Sequence, residues 1–188
     1  MVNVVDLRMR YGSRVLFENV NLSLDVGKRY GLIGANGAGK STFLKILSGE
    51  IEATDGEVQI GKDLKVGVLG QNQFAYEEFT LADTVLMGNK RLYDAIKEKE
   101  ELYTTGDFSD DAVNNRLSEL EIITAEEDPT YEADVKIEKI LEQLGFPAEQ
   151  HTELMSTLTG GDKFKILLAQ VLFPKPDVLF LDEPTNNL

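Results

Sequence analysis

The chain has no cysteine, which excludes disulfides and thiolate metal sites and fits a cytoplasmic protein. No run approaches about 18 consecutive apolar residues, so no membrane-spanning helix is expected. The N-terminus, MVNVVDLRMR, alternates apolar and polar residues and lacks the apolar h-region of a signal peptide. There is no internal repeat, no low-complexity linker and no basic stripe of the kind that follows a nucleic-acid backbone. What is present reads as soluble and globular: 188 residues, 42% hydrophobic and 28% charged. That length suffices for one domain burying roughly 70% of its unfolded surface.

Positive charge is scarce in one region. Residues 1–61 carry seven basic and seven acidic side chains, whereas residues 92–138 carry four basic and 15 acidic. That second stretch holds −11 of the net charge of −14. An acidic surface opposes broad attraction to a phosphate backbone. The charge run is compatible with a solvated helical excursion.

Periodicity divides the chain. Val2–Met9 and Val15–Leu24 alternate as strands around a turn at Tyr11-Gly12-Ser13, and Arg29–Ile33 reads as a short apolar strand. A helix is expected over Ser41–Leu47, ended by Gly49, followed by strands at Glu57–Ile60 and Lys65–Leu69. After Gln71 the period lengthens to that of a helix. Thr80 and Asp83 have capping-box spacing for a helix through Met87. A second helix carries Leu92, Ile96 and Tyr103. A third opens at Ser109-Asp110-Asp111, with a hydroxyl cap and acids in its first turn, and stops at Asp128-Pro129. Ala133, Ile137, Ile140, Leu141 and Leu144 form an amphipathic stripe ended by Gly145. A last helix spans about Gly160–Phe173, and Val178–Leu181 closes as a strand. Residues 92–130 are expected to form a protruding antiparallel helical pair, since their charge disfavours burial.

The strongest motif is GANGAGKST, residues 34–42, which fits G-x-x-x-x-G-K-[ST] between a strand and a helix. Glycines let backbone N–H groups curl around phosphates, and the helix N-terminus adds partial positive charge. In that pattern Lys40 reaches the β- and γ-phosphates and the Ser41 hydroxyl ligates Mg²⁺. The apolar strand Val178–Leu181 delivers Asp182, a carboxylate suited to Mg²⁺, and then Glu183, suited to orient or deprotonate a water. Three further features each have a plain structural reading, and two of them a functional one besides. Tyr11 is either a turn residue or an aromatic face for a nucleobase. Gln71 is either a solvated loop amide or a contact to metal and water. LTGGD, residues 158–162, is at least a helix cap with capping-box spacing between Thr159 and Asp162.

Together these motifs resemble an ATP-binding cassette (ABC) ATPase along the whole chain. Tyr11 matches the adenine-stacking loop, residues 34–42 (Gly34, Ala35, Asn36, Gly37, Ala38, Gly39, Lys40, Ser41, Thr42) the Walker A motif, and Gln71 the Q-loop. Thr159, Gly160 and Gly161 match the signature, and LFLDEP matches Walker B with Glu183 as catalytic residue. The resemblance implies that Ser41, Gln71 and Asp182 hold Mg²⁺. EPTNNL resembles the ABC-F branch, and RYGLIGANGAGKSTFLKILSGE and QFAYEEFTLADTVLMGNK resemble its YbiT-like subgroup. The acidic helical stretch sits where ABC-F proteins carry their arm insertion. Two positions depart from the usual signature: Thr159 replaces serine but keeps a hydroxyl, and Asp162 stands where glutamine is common.

The resemblance implies an α/β P-loop core (RecA/F1-like) with an N-terminal antiparallel β subdomain and a helical insertion, its C-terminal part missing. Residues 1–71 would hold the β subdomain and Walker A core. Residues 72–158 would form the helical subdomain with the arm-like insertion at about 92–130, and residues 159–188 the signature helix and Walker B strand. It further implies a cytoplasmic, ribosome-associated ATPase that uses ATP and Mg²⁺, acting with a second cassette of the same polypeptide and without a membrane. The rival reading is the ATP-binding subunit of an ABC transporter. This chain resembles the front part of a first cassette. The strand expected after Walker B is absent, so Arg29–Ile33 and Val178–Leu181 are expected to expose ladder groups and to pair between copies. The switch histidine is also absent, and His151, upstream of the signature, is no substitute for it. Weak or no turnover is expected of this piece alone.

Overall fold

The computed structural model describes residues 1–70 and 74–182. They divide into two compact units, one of residues 1–70 with 176–182 and one of residues 74–175. Residues 159–182 are shared: the helix that follows Thr159 belongs to the second unit, and the last strand pairs in the first.

The first unit is built on a three-stranded antiparallel sheet. Strand β1 (Val2–Tyr11) lies between β2 (Arg14–Leu24) and β3 (Asp55–Ile60). Strict alternation along VNVVDLRM would place Asp6 beside Val2 and Val4 on the apolar face. The strand avoids this with an irregularity in its ladders between Val4 and Leu7, where Asp6 takes φ 47°. The phase then shifts by one residue, so Val2, Val4, Leu7 and Met9 all enter the core. Asn21 holds the displaced residue, accepting from the Asp6 N–H at 2.9 Å and donating to the Asp6 carboxylate at 2.7 Å. Against this face packs α1 (Lys40–Leu47) through Phe43, Ile46 and Leu47, with Phe43 meeting Phe17 edge-on at 5.6 Å.

A second, two-stranded sheet pairs β4 (Val66–Leu69) with β5 (Val178–Leu181) in parallel, Val66 opposite Val178 and Leu69 opposite Leu181. Asp177 fixes that register. Its carboxylate accepts from the Lys65 N–H at 2.9 Å, and its own N–H donates to the Lys65 carbonyl at 2.8 Å.

Residues 29–33, expected as a strand, are not one. Among the described residues no strand pairs with them, and Tyr30, Leu32 and Ile33 are exposed, Ile33 at 95%. An apolar run records a preference for burial, but a strand exists only where a neighbour supplies its hydrogen bonds.

The second unit is helical. Helix α2 (Leu81–Leu86) is capped by Thr80, whose hydroxyl accepts from the Asp83 N–H at 3.1 Å. It packs against α5 (Ala133–Gln143) and α6 (Gly160–Leu172), and Leu81 and Val85 of α2, Ile137 and Leu141 of α5, and Ile166 and Leu167 of α6 are all buried. Gly88 lies so close to the Gln170 carbonyl that a β-carbon there would collide with it. His151 is buried in this unit, its Nε2 2.9 Å from the Phe146 carbonyl.

Helices α3 (Lys90–Thr105) and α4 (Asp111–Glu127) form an antiparallel pair. Three cross-links fix the direction: Arg91 to Glu126 and Glu127, Lys99 to Glu121, and Arg116 to Glu98. Leu92, Ala95, Leu120 and Thr124 are buried, while Tyr103 and Phe108 near the turn are exposed and stack at 6.4 Å. The cap of α4 is Asp110 and not Ser109, because the Ser109 hydroxyl donates to Asp107 at 2.7 Å. Asp128 does more than end α4. Buried, it accepts from the Ala133 N–H at 2.7 Å and from Lys136 Nζ at 3.0 Å. Burial pushes its carboxyl up, but those bonds more than offset this and hold it below the ordinary aspartate value.

Candidate functional site

The loop between residues 33 and 40 has no regular secondary structure, and its last glycine starts α1. Gly39 is the N-cap at φ 95°, a left-handed conformation, and a β-carbon on it would press on Leu16 and Phe17 at 3.3 Å. No side chain caps this helix, so its first-turn N–H groups are left to an external acceptor. Within the loop the Ala38 N–H donates to the Ala35 carbonyl at 3.1 Å. Lys40 folds back, donating from Nζ to the carbonyls of Gly34 at 2.9 Å and Ala35 at 3.1 Å.

The β1–β2 hairpin closes the other side. Tyr11 and Arg14 are its last paired residues, joined by a two-residue turn in which Gly12 takes φ 58°. Tyr11, Arg14 and Leu16 from the hairpin, with Asn36, Gly37, Gly39 and residues 40–42 from the loop and helix, line one open cavity of about 400 Å³. The structure therefore brings together Tyr11, Asn36, Gly37, Gly39, Lys40, Ser41 and Thr42, seven of the sequence-predicted residues, around one space. Gly34 and Ala35 join through Lys40, and Ala38 lies against Gly34. No sequence motif marks Arg14. It lines the same cavity and donates from Nη2 to the Gly37 carbonyl at 3.2 Å. The one signal for it was its place opposite Tyr11 across the turn.

Asp182 follows β5 directly, at the carboxyl end of a parallel strand, the usual edge for ligands in α/β sheets. Its charge is felt at Lys45 of α1, whose ammonium is held above its ordinary value first by the hydrogen bond it donates to Glu50 and more weakly by Tyr11 and Asp182. Gln71 and Glu183 lie outside the described residues.

Thr159, Gly160 and Gly161 belong to the second unit, where Thr159 caps α6 and the two glycines begin it. Lys163 on the same helix is buried, with Nζ 2.5 Å from Glu77 and 5.2 Å from the centre of the Phe74 ring.

Among the described residues no helix is long and apolar enough to cross a membrane. Residues 17–186 match the family model described as ABC transporter. The chain is 49% identical over its full length to an uncharacterized ABC transporter ATP-binding protein, YkpA of Bacillus subtilis, covering 34% of that protein. It is 45% identical over 97% of its length to the probable ATP-binding protein YbiT of Escherichia coli O157:H7, again 34% of that protein. It is 32% identical over 93% of its length to the energy-dependent translational throttle protein EttA of Escherichia coli, 32% of that protein. The chain thus spans about a third of the length of the curated relatives it matches. Among solved structures, the ATP-binding cassette MJ0796 bound to ADP and phosphate superposes with TM-score 0.66 at 20% identity, over the whole chain and 76% of that cassette. That likeness carries the fold: an α/β cassette with an N-terminal antiparallel sheet. YbiT and EttA are ABC-F proteins, the branch that the motifs resemble. The chain belongs to the ABC transporter family.

Proposed function

We propose that this chain is the ATP-binding, ATP-hydrolysing part of a cassette in a longer ABC-F protein that works on the ribosome. The observation that carries the nucleotide reading is the single cavity shared by Tyr11, the glycine loop, Lys40 and Ser41. Uncapped N–H groups at the start of α1 and the Lys40 ammonium suit the phosphates. Tyr11, 57% exposed, suits a base. On arrival of a triphosphate, Lys40 exchanges the neutral carbonyls of Gly34 and Ala35 for charged oxygens, a stronger class of hydrogen bond.

The donor set also fits Mg²⁺. Among the described residues no group of three His, Cys, Asp or Glu could hold a metal, but the Ser41 hydroxyl and the Asp182 carboxylate are hard oxygen donors of the kind Mg²⁺ takes beside phosphates, with Gln71 a third. Bound there, the ion neutralises charge on the phosphates. Glu183 follows as the general base that positions and deprotonates the attacking water. Thr159, Gly160 and Gly161, the cap and first turn of α6, are the part that meets the nucleotide of a second cassette in the same polypeptide. The ribosome enters through the likeness to EttA, whose name is that of a translational throttle protein. The same likeness to a translational protein favours a cytoplasmic ATPase over one with a membrane partner.

The test uses the longer protein. Glu183→Gln keeps ATP binding but slows hydrolysis by two orders of magnitude or more, on the order of the usual contribution of a general base. In ATP it sediments with ribosomes. Sedimentation with membranes and not ribosomes would point to a transporter subunit.

A further inference from the structure

Two cations are held by carbonyl oxygens of one loop: Lys40 by Gly34 and Ala35, and Arg14 by Gly37. Among the described residues neither has a carboxylate within ion-pairing distance. Both line the cavity that also holds Tyr11 and Ser41. Building on the nucleotide reading above, we propose that Arg14 is a second polyphosphate-binding cation of this site. It selects nucleoside di- and triphosphates over uncharged nucleosides.

Arg14 stands outside the glycine-loop motif. The hairpin register brings it in, because pairing Tyr11 with Arg14 puts an aromatic face and a guanidinium at the two ends of one two-residue turn. A surface arginine without purpose would leave its head in water, free of partners. This one spends one donor on the Gly37 carbonyl and keeps the rest of its fork beside the cavity. A guanidinium fork matches phosphate oxygens in pairs, and a neutral carbonyl is a weak competitor for it. The same contact ties the hairpin to the loop, so base and phosphate recognition are joined through one residue.

The experiment is calorimetric titration of the chain with MgATP, MgADP and adenosine at several salt concentrations. Arg14→Gln keeps an N–H for the Gly37 carbonyl and removes the charge. We expect affinity for both nucleotides to fall about tenfold, as for loss of one charge-assisted bond, with a shallower salt dependence and an unchanged melting temperature without nucleotide. Arg14→Lys should recover most of that loss, and adenosine should bind both variants as it binds the unaltered chain. Unchanged MgATP affinity and salt slope in Arg14→Gln would overturn the proposal. So would equal losses in both variants with a lowered melting temperature, the mark of a mere loop brace. Lys40→Ala separates the two levels. If it binds MgATP normally, the phosphate-loop reading itself fails, whereas its loss beside normal binding in Arg14→Gln removes only the role of Arg14.

Discussion

The Thr159 hydroxyl donates to the Asp162 carboxylate at 2.9 Å, and the Asp162 N–H points back to the same hydroxyl oxygen at 3.4 Å. Lys165 closes the ring by donating to the other Asp162 oxygen at 2.7 Å. The Asp162 carboxyl is held below its ordinary value first by Lys165 and then by Thr159. Its charge at the start of α6 is thus matched twice, by a lysine one turn on and by the helix N-terminus. That is why an acid is tolerated at this position. Removing the hydroxyl with Thr159→Ala should destabilise the chain by about 0.5–1 kcal/mol, the low end for an N-cap given the long N–H contact. Denaturant unfolding measures it. Because the folded value is depressed, the Asp162 contribution is complete above the ordinary value of 3.8 and fades as pH falls through the folded value. Asp162→Asn should flatten that part of the acid limb, and an unaltered acid profile would refute the arrangement.

The α3–α4 pair should exchange its amides in a gradient. Leu92, Ala95, Leu120 and Thr124 are buried at one end, whereas Tyr103 and Phe108 at the turn end are exposed. Between them Arg116 forks onto Glu98 at 2.6 and 2.8 Å and reaches Glu119 at 2.9 Å. Such half-exposed pairs contribute little each and are screened by salt. We expect fast exchange over residues 100–112 and slow exchange near Leu92 and Leu120, with Arg116→Met or high salt steepening the difference. Uniform protection along both helices would contradict this.

The glycine loop ahead of α1 was legible because glycine is a local signal for an irregular turn, and Thr80 and Thr159 because a cap is a local event. Three features were not legible, each for a physical reason. Residues 29–33 carry the composition of a strand, yet the partner that makes a strand is a matter of tertiary structure. Ser109 and Asp110 are both good caps, and only the competing bond from Ser109 to Asp107 decides between them. Arg14 is a lone arginine beside a turn, without meaning until the hairpin register sets it opposite Tyr11 and next to Gly37.

Residues 29–33 also carry the last prediction. Ile33 is 95% exposed, with Leu32 and Tyr30 about half exposed, at 48% and 54%. Among the described residues, β4 and β5 form a sheet of only two strands. An apolar segment without ladder partners and a short sheet with open edges are both templates for another chain. Association between copies satisfies both at once, by burying the Ile33 side chain and supplying hydrogen bonds to its backbone. Sedimentation velocity should therefore find the 188-residue chain associating as concentration rises. Ile33→Lys removes about 1.5–3 kcal/mol of burial and adds like-charge repulsion between copies, so it should weaken association by about tenfold or more. Apolar contact of this kind is little affected by salt, so raising the ionic strength should not dissociate the unaltered chain. A chain that stays monomeric at every concentration, with or without Ile33→Lys, would mean that residues 29–33 find their cover within a single copy.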